Sequence, residues 1–196
     1  MKNKLIYISP DEHVCECCKP NIDVQDEKVA IMYRNWLNGS RDLYLITSGN
    51  TGKIFNEAQK LGYGTWKING CPMDGGGITI DNNLTIHTAW QREGIIYYSK
   101  PNESEINMIK GKACSIAIDK ADSKKIFITM QDDGYVKIID LNTKKEIIVG
   151  KGSFLKSIVL PDKKVLCVWE QDKNIRFRKI NVPFTNGSSP KRVAVM

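Results

Sequence analysis

Four times along the chain, a short β-branched run, a polar turn and a stronger apolar run follow one another. The openings are Asn21-Ile-Asp-Val, Gly77-Ile-Thr-Ile, Cys114-Ser-Ile-Ala-Ile and Lys156-Ser-Ile-Val-Leu. Polar turns come next, at Gln25-Asp-Glu-Lys, Asp81-Asn-Asn, Asp119-Lys-Ala-Asp-Ser and Pro161-Asp-Lys-Lys. The stronger strands are then Val29-Ala-Ile-Met-Tyr, Leu84-Thr-Ile-His-Thr-Ala-Trp, Ile126-Phe-Ile-Thr-Met and Val165-Leu-Cys-Val-Trp. A third strand follows in each unit, at Asp42-Leu-Tyr-Leu-Ile, Ile95-Ile-Tyr-Tyr, Tyr135-Val-Lys-Ile-Ile and Ile175-Arg-Phe-Arg.

With Ile22, Ile78, Ile116 and Ile158 taken as equivalent, the spacings are 56, 38 and 42 residues. A unit of about forty residues holding three or four short strands predicts propeller blades, because such a sheet buries neither face until neighbours stack on it. The expected fold is all-β, with about four four-stranded antiparallel repeats. Their bounds fall near 19–70, 71–112, 113–152 and 153–182, and a polar tail occupies 183–196. The first repeat carries its surplus between Phe55 and Gly77, and the one short helical candidate is Asn56 to Leu61. Four blades are the lower limit of a closed ring. The chain is either a four-bladed propeller or part of a six-bladed one, with open edges covered by another chain or copy.

Composition changes this picture little. Hydrophobic content of 41% and charged content of 26% over 196 residues suit a globular domain with an ample core. The net charge of +7 raises nucleic acid as a partner, but the lysines are scattered at turns, as at Lys124-Lys125 and Lys144-Lys145. Aromatic residues do not interleave with them on one face, so no nucleic-acid partner is expected. No apolar run is long enough for a transmembrane segment. Between Met1 and Pro10 only Leu5, Ile6, Tyr7 and Ile8 are apolar, too few for a signal-peptide core. That is consistent with a cytoplasmic chain or with part of a longer exported precursor.

The candidate chemistry concentrates in His13, Cys15, Cys17 and Cys18, and then in Cys71 and Met73. If Ile22 and Ile78 are equivalent, both groups precede inner strands of adjacent blades and meet at one end of the propeller. Three outcomes are open. A disulfide such as Cys17 or Cys18 to Cys71 would tie the blades together. A soft-metal site would bind copper or zinc through thiolate, imidazole and thioether, although adjacent cysteines are unusual at one tetrahedral ion. Buried reduced thiols are the third outcome. Cys114 and Cys167 lie inside apolar strands and read as core. So do Trp90 and Trp169, while His87 reads as a strand histidine held by a neighbour. Arg34, Arg41, Trp66 and Asp74 fall at strand ends and turns and are candidates for a ligand-binding rim.

Ser48-Gly-Asn-Thr-Gly-Lys-Ile-Phe55 resembles the Asp-box of sialidase-like (BNR-repeat) propellers, S-x-D-x-G-x-x-W/F, with Asn50 where Asp is usual. In addition, Cys15-Glu-Cys-Cys-Lys-Pro20 and Trp66-Lys-Ile-Asn-Gly-Cys-Pro-Met73 resemble a bacterial subset of that family. Its members carry C-x-C-C-(R/K)-P and W-x-x-x-G-C-P-H, and Met73 stands here where His is common. The resemblance implies a six-bladed ring of which this chain supplies the last four blades. It also implies a periplasmic or extracellular setting, which favours oxidised cysteines. Sialidase chemistry in that family needs three arginines on the substrate carboxylate, a Tyr–Glu pair and an aspartate. Here the arginines are Arg34, Arg41, Arg92, Arg176, Arg178 and Arg192, and no Tyr–Glu pair falls on a matching motif. The expectation is therefore a non-catalytic module, binding a glycan, a protein partner or a soft metal through the cysteine-bearing loops. The alternative is a glycoside hydrolase completed by other blades. Converging arginines in a central pocket would favour the enzyme, and scattered ones the binding module.

Overall fold

The computed structural model describes residues 4–11, 13–120 and 122–181. The tail expected over 183–196 lies outside these residues. The strands form four separate antiparallel sheets, each a meander in chain order. The first contains β1 (Asn21–Gln25), β2 (Lys28–Arg34), β3 (Leu43–Ser48) and β4 (Gln59–Lys60). The second contains β5 (Gly77–Ile80), β6 (Ile86–Arg92), β7 (Ile95–Ser99) and β8 (Ile106–Lys110). The third contains β9 (Lys112–Asp119), β10 (Asp122–Asp132), β11 (Tyr135–Asp140) and β12 (Glu146–Lys151). The fourth has three strands, β13 (Ser153–Val159), β14 (Val165–Gln171) and β15 (Asn174–Ile180).

This is the expected all-β, blade-like architecture, with one local correction. The helix proposed for Asn56 to Leu61 is absent, because Gln59 and Lys60 pair with Leu45 and Tyr44 as the outer strand of the first blade. That edge satisfies backbone groups that a single helical turn would leave open.

The core lies between the sheets. Ala30, Met32, Leu43 and Leu45 of the first blade pack on Ile78, Ile80, Ile86 and Trp90 of the second. Ala89, Ile96 and Tyr98, from the opposite face of the second blade, pack on Ile116, Ile126, Ile128 and Met130 of the third. The other face of the third, through Phe127, Val136, Ile138 and Val149, meets Leu155, Val165, Cys167 and Trp169 of the fourth. Period-two alternation thus feeds two interfaces from one strand, and β10 has both faces buried along Ile126–Met130.

The four inner strands β1, β5, β9 and β13 lie side by side. Together they line an axial cavity of about 510 Å³, with Asp23, Asp119, Ser157 and Lys163 among its walls. Among the described residues, no blade lies against the outward faces of the two end blades. Ile22 and Val24 are exposed on the first, and Ile158, Ile175 and Phe177 on the fourth.

Three blades close β6–β7, β10–β11 and β14–β15 with two-residue turns, at Glu93-Gly94, Asp133-Gly134 and Asp172-Lys173. Both residues of each turn have positive φ, the type I′ geometry that matches strand twist. The first blade breaks the pattern. Residues 35–42 replace its two-residue turn, and they lie at the end of the molecule that carries the cysteines.

Candidate metal centre

The chain before β1 runs beside the end of β2. Val14 bridges to Asn35, and the Cys15 amide donates to Arg34 O at 3.0 Å. A turn follows, with the Cys18 amide donating to Cys15 O at 3.2 Å, and it brings three cysteines onto one side of the loop. The fourth arrives from the surplus segment between the first two blades. Its return to β5 depends on two glycines. A side chain at Gly75 would come within 2.1 Å of Lys19 O, and Gly76 has φ +71° with Ala89 O 2.6 Å from a would-be Cβ.

Cys15, Cys17, Cys18 and Cys71 place their sulfurs within 4.8 Å of one another. Cys17 and Cys71 form a disulfide, with Cα atoms 6.7 Å apart. The Cys15 sulfur lies 3.4 Å from Cys18, 3.5 Å from Cys71 and 3.7 Å from Cys17, and Cys18 lies 3.5 Å from Cys71. A zinc tetrathiolate with bonds of about 2.3 Å has sulfur–sulfur edges of about 3.8 Å. The adjacent pair Cys17 and Cys18, awkward on spacing alone, reaches one centre because the turn curls both inward.

The other candidates divide around it. The His13 ring stands edge-on to Trp36 at 4.3 Å, with Nδ1 2.9 Å from Asp11 O, outside the sulfur group. The Met73 side chain is 75% exposed, and its amide donates to the Cys71 sulfur at 3.3 Å. Arg41 is buried, donates Nη1 to the Cys15 sulfur at 3.0 Å and stacks its guanidinium 4.0 Å from the Trp36 ring centre. Arg34 is 1% exposed, and all its hydrogen-bond acceptors are backbone carbonyls: those of Asp74, Arg41 and Gln91. Trp66 lies 5.5 Å from Arg34 and donates its amide to Asp42. The Asp74 carboxylate accepts from the amides of Gly76 and Ala113, tying the second blade to the third. Arg34, Arg41, Trp66 and Asp74 therefore converge, but beneath the cysteine loops as a buried support, not around an open cleft.

Burial and the hydrogen bond with Cys15 push the Cys18 thiol up to about 11, so it stays protonated at neutral pH. Burial also lowers the Arg34 pKa, against the raising pull of Cys18, Asp74 and Cys15. Burial pushes Cys114 well above the ordinary thiol range and Cys167 up to about 11; both are inert core groups. Trp36 and Asp42 complete the support; of the two, only Trp36 has no candidate role in the sequence. Their signal is the length of residues 35–42 against the two-residue turns of the other repeats.

The Ser48–Phe55 turn, which resembles an Asp-box, is closed around Asn50. Its Oδ1 accepts from Ser48 Oγ and the Ile54 amide, and Gly52 takes φ +77° against Phe55.

No protein-family model matches the chain, and neither does any curated protein. The Asp-box resemblance thus rests on the residues quoted for it. Among solved structures, the chain is similar to an α-L-arabinofuranosidase from Podospora anserina, at 12% identity and a TM-score of 0.47. The match covers 82% of this chain and 62% of that one. It is also similar to an exo-1,5-α-L-arabinanase from a bovine ruminal metagenomic library, at 13% identity and a TM-score of 0.45, covering 84% and 74%. The chain spans less than two thirds of the length of the arabinofuranosidase it matches.

Proposed function

We propose that this chain is a non-catalytic propeller segment whose working face carries the cysteine loops, where it binds a soft metal ion. The observation that carries the reading is the convergence of four sulfurs within 4.8 Å from two separate loops. Once the Cys17–Cys71 disulfide is reduced, four protein donors make a closed set of the structural kind, joining the segment before β1 to the connection before β5. The positions of the arginines support a binding module over a sialidase. Among the described residues none lines the axial cavity, and Arg92 is paired with Glu105. A glycan or protein partner belongs to the same proposal, the partner meeting the exposed rim around Met73.

The test is native mass spectrometry of protein purified without chelator, with and without a dithiol reductant to open Cys17–Cys71. A copper or zinc adduct, lost in Cys71→Ser, is the expected result. A metal-free mass in the reduced sample would leave the centre as the Cys17–Cys71 staple alone.

A glycoside hydrolase is the second reading, favoured by the axial cavity with Asp23 and Asp119 in its wall. It ranks below the first because both carboxylates are engaged. Asp23 accepts from the Ile80 amide at 2.7 Å and from Thr79, and Asp119 pairs with Lys163 at 3.0 Å. Turnover of aryl arabinofuranosides or a fluorogenic sialoside, abolished by Asp119→Asn, would reverse that order.

A further inference from the structure

The charge around the sulfurs limits the kind of ion they hold, an argument that rests on the metal-binding reading above. Two guanidinium groups are buried against this centre. Arg41 donates directly to Cys15, and its Nε has no hydrogen-bond acceptor among the described residues. Arg34 meets only carbonyl oxygens. Nearby acids offset them only in part: the Asp74 charge acts on Arg34. The Asp42 carboxylate is paired with Lys60 at 3.0 Å and Glu105 with Arg92. Asp74 accepts from the amides of Gly76 and Ala113, which leaves its charge in place beside Arg34, while Arg41 has no such acid among the described residues. Buried charges without a counter-charge are strongly unfavourable, so this arrangement calls for negative charge on the sulfurs.

We propose that the four cysteines bind a divalent thiophilic ion of the zinc class as a tetrathiolate, whose two negative charges are held by Arg34 and Arg41. Metal-bound thiols lose their protons outright. A divalent ion on four thiolates leaves two negative charges and a monovalent ion leaves three; with Asp74 partly offsetting Arg34, the two guanidinium groups balance the divalent complex more nearly. Arg41 is the positioning residue, acting through its hydrogen bond to Cys15. The Met73 amide acts in the same sense on Cys71. From the disulfide state, a dithiol reductant passes two electrons to Cys17–Cys71 and leaves as its own cyclic disulfide. The four thiols then release four protons as the ion enters.

The experiment titrates the reduced full chain, without oxygen, with Zn²⁺, Co²⁺ and Cu⁺ separately against a competing chelator. One Zn²⁺ per chain is expected, and Co²⁺ should give the intense visible bands of a tetrahedral thiolate complex. Arg41→Met should weaken Zn²⁺ binding by about 10- to 100-fold, and Arg41→Lys should restore most of it. The melting temperature of each metal-free variant separates lost binding from lost folding. Binding of Cu⁺ alone would overturn this inference and leave the metal-binding reading standing; binding of no ion would overturn both. Equal Zn²⁺ affinity in Arg41→Met and the parent would remove Arg41 from its role.

Discussion

His87 sits between Tyr98 Oη, 2.7 Å from Nδ1, and Asp81 Oδ2, 3.3 Å from Nε2, and is shut from solvent. Burial pulls its pKa down from the ordinary value of about 6.5. Asp81 and Glu103 oppose that shift and Lys100 assists it. For Asp81 the largest single effect, burial, would raise the pKa. The amides of Thr85 and Asn83 and the His87 ring together outweigh it and lower the value. A histidine held neutral in the folded chain makes the unfolded chain the better proton acceptor. Its contribution to stability is present above the unfolded value of about 6.5 and is lost as pH falls below it. The Asp81 contribution disappears only at lower pH, below the ordinary carboxylate range. Urea unfolding between about pH 7 and pH 5 should therefore show stability declining, with the decline flattened in His87→Gln. Parallel pH profiles for the variant and the parent would sink this assignment.

The connection between the first two blades illustrates the element scale. Gly75, Gly76 and Gly77 read along the chain as a tight turn; in the structure the first two lie in the irregular run before β5 and Gly77 opens β5. The stronger requirement is steric, because Lys19 O, Ala89 O and the Ile116 amide each approach where a side chain would stand. Gly94 also has positive φ, at +77°, but has open space around it. Gly94→Ala should lose only the left-handed backbone penalty of about 1–2 kcal/mol. Gly76→Ala adds overpacking of about 1–3 kcal/mol and should unfold at distinctly lower urea. Equal midpoints would mean that Met32 and the β6 backbone yield freely. The strands themselves were legible because each repeats an alternating apolar run. The outer strand β4 was not: Gln59 and Lys60 carry no apolar signal, and only their pairing with β3 makes them a strand.

Across the whole molecule, three apolar interfaces join four sheets, so stability is distributed between neighbours and the end blades each present a free face. Leu155 is 1% exposed between the third and fourth blades, whereas Phe177 is 71% exposed on the far face of the fourth. Leu155→Ala should destabilise the chain by about 2–5 kcal/mol. Phe177→Lys should change it by no more than about 0.5 kcal/mol in dilute solution. A loss above about 1 kcal/mol for Phe177→Lys would show that another copy or chain covers that face.

By itself, the sequence determined the repeat, the blade class, the burial of Cys114, Cys167, Trp90 and Trp169, and the meeting of the two cysteine loops. Each of these follows from period-two alternation or from equivalent positions in successive repeats, and both are local properties. Only the tertiary structure decided that adjacent Cys17 and Cys18 reach one centre and that His13 turns away to Trp36. It likewise decided that Arg34 and Arg41 lie beneath the sulfurs instead of lining a cleft. Those outcomes depend on where the 35–42 loop and the segment before β1 come to rest against the second blade. Long-range packing, not periodicity, sets that placement.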